Sequence, residues 1–187
     1  MSSTGGDLYP LSDGERDAAV TSLVKATGDG RLTLEEFGQR AELALTTDSR
    51  IDLEKVTGDL PEASPSKAKR HWFAPFGNRI VEGRFALSPN TKTTMLVSEI
   101  HLDLRGAFLV GPESTIKVKA LAGTLRVLVP TGVRVEVDQS SLFGGRSRTS
   151  YGPESKVVRP LLRIRMIDVM GGVKVTDDPA KWSPYMT

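Results

Sequence analysis

The residues with the plainest chemical suggestion run Asp29-Gly30-Arg31-Leu32-Thr33-Leu34-Glu35-Glu36-Phe37 and imitate the end of a calcium-binding EF-hand loop. Such a loop carries oxygen ligands at fixed positions around a glycine at position six and ends on a bidentate glutamate at position twelve. With Gly30 at six and Glu36 at twelve, position one is Lys25 and position three is Thr27. An ammonium group does not open a cation site, so the segment reads instead as a turn followed by a helix cap. His101 and Asp103 are a second pair with ligand-like spacing, on one face of an expected strand. No third ligand stands at a useful distance, and the pair reads as a solvated strand face. There is no Gly-x-Ser-x-Gly elbow, P-loop or dinucleotide fingerprint. There is no cysteine either, which removes disulfides, thiolate metal sites and a thiol nucleophile. These absences argue against an enzyme, and the sequence implies no cofactor and no metal.

The remaining chemistry is electrostatic. Of 187 residues 39% are hydrophobic and 26% charged, an ordinary globular balance, and the net charge of +2 conceals two unlike halves. Residues 1–62 hold six basic and thirteen acidic side chains, a net −7; the rest hold nineteen and ten, a net +9. The basic half concentrates charge at Arg146 and Arg148, in a Gly/Ser-rich stretch, and at Lys156, Arg159, Arg163 and Arg165. Such charge can neutralise phosphates. It alternates with apolar residues, however, as the outer face of any sheet does, and few aromatics are available as a base-stacking platform. A solvated or protein-docking face therefore stands ahead of nucleic acid. The run Lys67-Ala68-Lys69-Arg70-His71-Trp72-Phe73-Ala74-Pro75-Phe76 has the make-up of a peripheral membrane contact. The plainer reading packs Trp72 and Phe76 on the domain that follows. The opening Met1–Asp7 does not read as a signal peptide, and no apolar run approaches the ~18 residues of a membrane span. The expected location is the cytoplasm, with peripheral contact at the inner face of the membrane as its variant.

The elements that must position these groups divide the chain. Residues 1–10 read as a flexible start and 11–61 as a helical module. Ser12-Asp13-Gly14-Glu15 fits a capping box, followed by Ala19, Val20, Leu23 and Val24 on one face. Gly28-Asp29-Gly30 stops that helix, and Thr33 with Glu36 caps the next, with Leu32 and Phe37 placed as a hydrophobic staple. A third short helix carries Leu53 and Val56 and closes at Gly58-Asp59-Leu60-Pro61. A module this small has a thin core, so its apolar faces need completion by the second half or by a partner.

Residues 62–77 read as a basic and aromatic linker, 78–178 as a β domain and 179–187 as a tail. From residue 79 the period is two, with Ile100-Leu102-Leu104, Ile116-Val118, Val133-Val135-Val137 and Leu162-Ile164-Met166 facing inward and glycines between the runs. This predicts many short strands joined by glycine turns. Gly111-Pro112-Glu113-Ser114 recurs as Gly152-Pro153-Glu154-Ser155, which suits a stacked solenoid without separating it from a sandwich. The fold class is a segregated α+β: a three-helix bundle, then an all-β domain.

On Ser12-Asp13, Glu15-Arg16, Gly30 to Phe37, Arg40, Thr47 and Asp59-Leu60-Pro61, residues 11–61 resemble the actinobacterial SHOCT-like N-terminal domain of unknown function. Asp52-Leu53 departs mildly, since Glu-Leu is commoner there. On Gly123 to Val137 and Met170 to Val175, residues 78–178 are similar to the LiaF-like C-terminal domain, also called toast-rack. The resemblance implies a right-handed β-helix-like stack and a place in bacterial cell-envelope stress signalling, often as regulator of a membrane histidine kinase. Many relatives carry transmembrane helices; without one, the expectation is a non-enzymatic accessory acting through protein–protein contacts. Its expected partner is a membrane-associated signalling protein or a second copy at the open ends of the stack. The alternative is a nucleic-acid or anionic-membrane binder using the basic face and linker, with the acidic module free to mask that face in cis. The candidate contacts are Glu35, Glu36, Phe37 and Arg40 on the helices, Trp72 in the linker, and Arg146, Arg148, Arg163 and Arg165 on the β face, with the core reading of Phe37 ahead of docking.

Overall fold

The computed structural model describes residues 10–63, 68–152 and 159–182. Helices α1 (Asp13–Gly28), α2 (Leu34–Thr46) and α3 (Arg50–Gly58) open the chain. Each begins where a side chain satisfies amides that the helix itself leaves unpaired. Ser12 and Glu15 form a full capping box, as do Thr33 and Glu36, in which the Thr33 N–H donates to Glu36 Oε2 at 2.8 Å. Ser49 Oγ accepts from the Asp52 N–H at 3.3 Å.

Arginines bind the opposite, carbonyl-rich ends. Arg16 donates to the carbonyls of Leu45 and Thr47 at the end of α2, and Arg40 to Val56 O at 2.7 Å near the end of α3. Arg31 reaches Pro61 O at 2.7 Å and Leu60 O at 3.0 Å. A guanidinium at a helix C-terminus satisfies orphan carbonyls and opposes the negative end of the helix dipole.

The β half is one open sheet. Its strands are β1 (Ala68–Val81), β2 (Phe85–Asp103), β3 (Ala107–Leu109), β4 (Glu113–Leu128), β5 (Arg134–Ser141), β6 (Gly145–Tyr151) and β7 (Leu161–Thr176), and the short α4 (Pro179–Trp182) follows. The order is β1-β2-β4-β7-β5-β6, with β3 beside β2, and every pairing is parallel except β5 with β6.

The expectation of many short strands is corrected here: β1, β2, β4 and β7 are long and bend at one shared level. Their ladders skip Pro75, Leu96, Leu121 and Val169, which lie side by side. The inward parity flips across this level. In β2 the buried residues are Thr91, Thr93 and Met95 before it, and Ser98, Ile100 and Leu102 after it. In β4 they are Ser114, Ile116 and Val118, then Leu125 and Val127. Alternation has period two, so a change of parity with two consecutive exposed residues marks a corner, around which each strand wraps the core. The register row just past the corner is Gly77–Ser98–Gly123–Gly171. Gly123, at φ +143°, lies inside β4, where a Cβ would clash with the Ser98 carbonyl oxygen. Gly123, Gly171 and Gly172 are therefore strand residues, not the turn markers their type suggested. The second copy of the Gly-Pro-Glu-Ser repeat lies largely outside the described residues.

The boundaries shift accordingly. Residues 68–77, read as linker, are the first part of β1, because Trp72 and Ala74 are buried against β2 while their neighbours point out. The tail supplies α4, whose Trp182 is buried on His101.

Helices and sheet share one apolar core. The start of β2 and β3 make a short wall, and α1 and α2 pack on it. Thr33 bridges Phe108, the Glu35 N–H donates to Arg105 O at 3.1 Å, and the Gly111 N–H donates to Gly28 O at 2.7 Å. The thin helical core is thus completed by the β half. Phe37 is fully buried there, beside Gly132. On Gly38, within α2, a Cβ would stand 2.5 Å from Thr131 O.

Two outcomes test this layer. Helix propensity alone predicts that Gly38→Ala stabilises by about 1 kcal/mol. The contact with Thr131 reverses the sign, and a loss of about 1–3 kcal/mol is expected in denaturant titration. Glu15 is held at about 2, below its ordinary 4.5, by the Ser12 backbone N–H first and then by Arg50. A depressed carboxylate stabilises the fold above its ordinary value and loses that contribution as pH falls toward the folded value. The melting-temperature gap between wild type and Glu15→Gln should therefore be full above about pH 5 and close as pH falls toward 2.

Candidate functional site

On the outer face of the first leg of the sheet, parallel pairing sets like side chains side by side. The register aligns Lys92, Lys117, Arg165, Asp138 and Arg148 in one row. Neighbouring strands lie about 4.8 Å apart, so the first three members are cations at close, regular intervals. Like charges directly opposite one another destabilise a sheet. The next row toward the corner is Phe73–Thr94–Lys119–Ile167–Ser140–Arg146. On the other side, Arg163 stands between Thr115 and Glu136.

Carboxylates answer some of this charge and leave the rest. Arg163 Nε donates to Glu136 Oε2 at 3.1 Å, and Arg134 Nη2 lies 3.3 Å from Glu136 Oε1. Arg146 and Arg148 share Asp138, at 3.4 and 3.6 Å, with hydrogen bonding from Arg146 the larger reason that this carboxyl sits below its ordinary range. Among the described residues Lys92, Lys117, Lys119 and Arg165 are exposed and form no ion pair. The acidic module does not cover them: the row is exposed with the helices in place.

The corner itself is apolar. Leu96 and Leu121 lie at the skipped positions, and Phe76, Val97, Ala122 and Met170 form the row after them. Phe76 is 72% exposed and Phe143, in the β5–β6 turn, 75%. That turn is held beside the corner by Leu142 N–H to Asp168 O at 2.9 Å. Of the thirteen large hydrophobic side chains exposed among the described residues, nine lie on the corner, one row from it or on this turn.

The sequence candidates are distributed differently from the expectation. Arg146, Arg148, Arg163 and Arg165 do share one face, with Arg148, Arg163 and Arg165 lining a shallow cleft. The helical candidates do not join them. Phe37 is core, Arg40 binds Val56 O and Asp59, and Glu36 caps α2 while lying 3.8 Å from Arg84. Trp72, only 3% exposed, stands edge-on to Phe85 at 6.1 Å, so it is no surface anchor; Phe76, expected to pack, is the exposed member of the pair. His101 and Asp103 are buried, not solvated. His101 Nε2 lies 3.4 Å from Glu99 Oε1, which also pairs with Arg126, and Asp103 binds Arg105 at 2.7 Å. No group of three metal-ligating side chains occurs among the described residues. Sequence reasoning missed Lys92, Lys117 and Lys119 as a set, and the corner altogether. The available signal was an apolar pair followed by a small residue, as in Leu96-Val97-Ser98 and Leu121-Ala122-Gly123.

With helices clamped on an open parallel sheet, residues 11–61 match the model of the DUF1707 SHOCT-like domain, and residues 76–159 match that of cell wall-active antibiotics response LiaF, C-terminal. Along the chain a match to a SHOCT-like domain is thus followed by a match to a LiaF-like C-terminal domain. It is 26% identical over 179 residues to the uncharacterized protein Rv0966c of Mycobacterium tuberculosis (strain ATCC 25618 / H37Rv), covering 91% of this chain and 89% of the relative. The same identity and coverage hold for the uncharacterized protein MT0994 of Mycobacterium tuberculosis (strain CDC 1551 / Oshkosh). No solved structure matches. No helix among the described residues is long and apolar enough to cross a membrane.

If the cation row carries a standing electrostatic cost, Lys117→Thr, between Lys92 and Arg165, should stabilise the protein by roughly 0.2–1 kcal/mol at low salt. Thermal melts should show that gain shrinking as added salt screens the row.

Proposed function

We propose that this protein is a non-catalytic docking component of bacterial cell-envelope stress signalling, working from the cytoplasmic side of the membrane. The context comes from the LiaF-like match, and the docking role from the geometry. The observation that carries it is the row Lys92–Lys117–Arg165, cations stacked on a rigid sheet with no carboxylate between them. Folding alone gives no reason to align like charges, whereas an anionic partner surface does. In this reading the β half is a β-helix-like stack, its rungs turning the common corner, and the helical module is a structural clamp on its short wall. Protein contacts with a membrane-associated signalling component follow from the same face.

The test compares a strain lacking the protein with one carrying Lys117→Glu and Arg165→Glu together. Both are challenged with a cell wall-active antibiotic while an envelope-stress reporter is followed, and circular dichroism and a thermal melt confirm that the purified variant folds. The expected result is a several-fold change in reporter output in both strains. Wild-type output from both would overturn the proposal.

A further inference from the structure

We propose that the apolar corner and the cation rows beside it seat the protein on an anionic lipid bilayer. This deepens the docking reading above and rests on it, naming the surface that the basic face meets. Three observations converge. First, the corner is convex: Leu96-Val97 and Leu121-Ala122 sit on the outside of a bend, and Phe76, Met170 and Phe143 prolong the apolar edge on either side. Soluble monomers seldom expose a contiguous apolar patch beyond a few hundred Å² without a use for it. A convex edge offers a protein partner no pocket, but it is the shape that enters between lipid headgroups.

Second, polarity is graded away from that edge. The row two residues back along the strands is mixed, with Lys119 and Arg146 among Phe73 and Ile167, and the row four residues back is the cationic one. At about 3.3 Å per residue these rows stand roughly 7 and 13 Å behind the edge. Interfacial segments bury their apolar side about 5–10 Å into the headgroup and acyl boundary. With the corner at that depth, Lys119 lies among the phosphates, and Lys117 and Arg165 face them from the water.

Third, the charge weighs against the simplest rival. A second copy meeting this face about a two-fold axis would set Lys92, Lys117 and Arg165 against their own equivalents or near them. An anionic leaflet attracts every one of these groups. The unpaired state of Lys117, Lys119 and Arg165, and the exposure of Phe143 at the tip of a turn pinned by Asp168, then share one explanation.

The test is co-sedimentation of the full-length protein with vesicles. One set is phosphatidylcholine alone, the other phosphatidylcholine and phosphatidylglycerol in equal amounts. Wild type should pellet with the anionic vesicles, little with the neutral ones, and progressively less as salt rises. Leu121→Asp and Phe143→Asp, both at exposed positions, should weaken binding about tenfold or more, and Lys117→Glu about fivefold or more at low salt. Ile51→Asp, exposed on α3, should bind as wild type does. Absence of binding to anionic vesicles, or corner variants that bind like wild type, would overturn the inference. So would binding to duplex DNA that Lys117→Glu weakens and Phe143→Asp does not, in a protein that ignores vesicles. If vesicle binding fails while the charge-reversed strain still alters the stress reporter, the lipid inference falls and the docking reading stands. If both fail, both fall.

Discussion

Where β4 and β7 bend, their backbones approach the neighbouring strand so closely that a side chain has no room. A Cβ on Gly123 would clash with the Ser98 carbonyl, and one on Gly171 with the Gly123 carbonyl. In the row Gly77–Ser98–Gly123–Gly171, Gly123 and Gly171 are therefore what let β4 and β7 turn with β2. Once they turn, much else is determined. Inward parity must flip, so Met95 and Ile100 both reach the core although they are an odd number of residues apart. Two consecutive residues per strand must point out, which builds the apolar edge. The straight segment before the bend must repeat its outward residues in register, which builds the cation row. One steric constraint places both edge and row: it sets where these residues point, not which residues they are.

The helical layer answers a different need. An open sheet wrapped around one corner leaves its core uncovered on the remaining side, where β2 and β3 provide only a short wall. α1 and α2 close it, and they do so backbone to backbone, through Gly28 against Gly111 and Gly38 against Thr131. Arg84 ties the layers from the surface, lying 3.8 Å from Glu36 and 5.0 Å from the centre of the Phe108 ring. Within the layer, arginines that match the SHOCT-like pattern bind carbonyls. Arg16 and Arg40 serve the ends of short helices, and Arg31 the segment just past α3, where unsatisfied carbonyls would otherwise be costly. The acidic character of this half is compatible with that work, since its carboxylates cap helix starts and pair with the same arginines.

Local rules explain how much of this could be read in the sequence. Both capping boxes, the stop at Gly28-Asp29-Gly30 and the short third helix follow from contacts three or four residues apart, and they were legible. The strands were legible as alternation, but only leg by leg. A parity flip looks like a break between two short strands, and a glycine beside it, such as Gly123, looks like a turn. Trp72 and Phe76 show the same limit. Both are aromatics near basic residues, and only the register of β1 on β2 decides that one faces inward and the other out. Arg146, Arg148, Arg163 and Arg165 were legible as a basic cluster because β5, β6 and β7 are close in sequence as well as space. Lys92 and Lys117 were not, because β2 and β4 meet β7 through pairings that local spacing does not record.

The last strand is not an outer one. β7 lies between β4 and β5, although β5 and β6 are made before it. While the chain is being synthesised, β4 can already stack on β2, but the β5–β6 hairpin has no parallel neighbour to join until residues 161–168 emerge. An isolated two-stranded hairpin is marginal in water, and long-range parallel pairing forms slowly. The sheet is therefore completed by insertion of β7 after β5 and β6 have been made, with the pairing edge of β4 open in the interval. In that interval, unlike in the finished molecule, β4 presents an unpaired strand edge, the kind of surface on which other chains can pair.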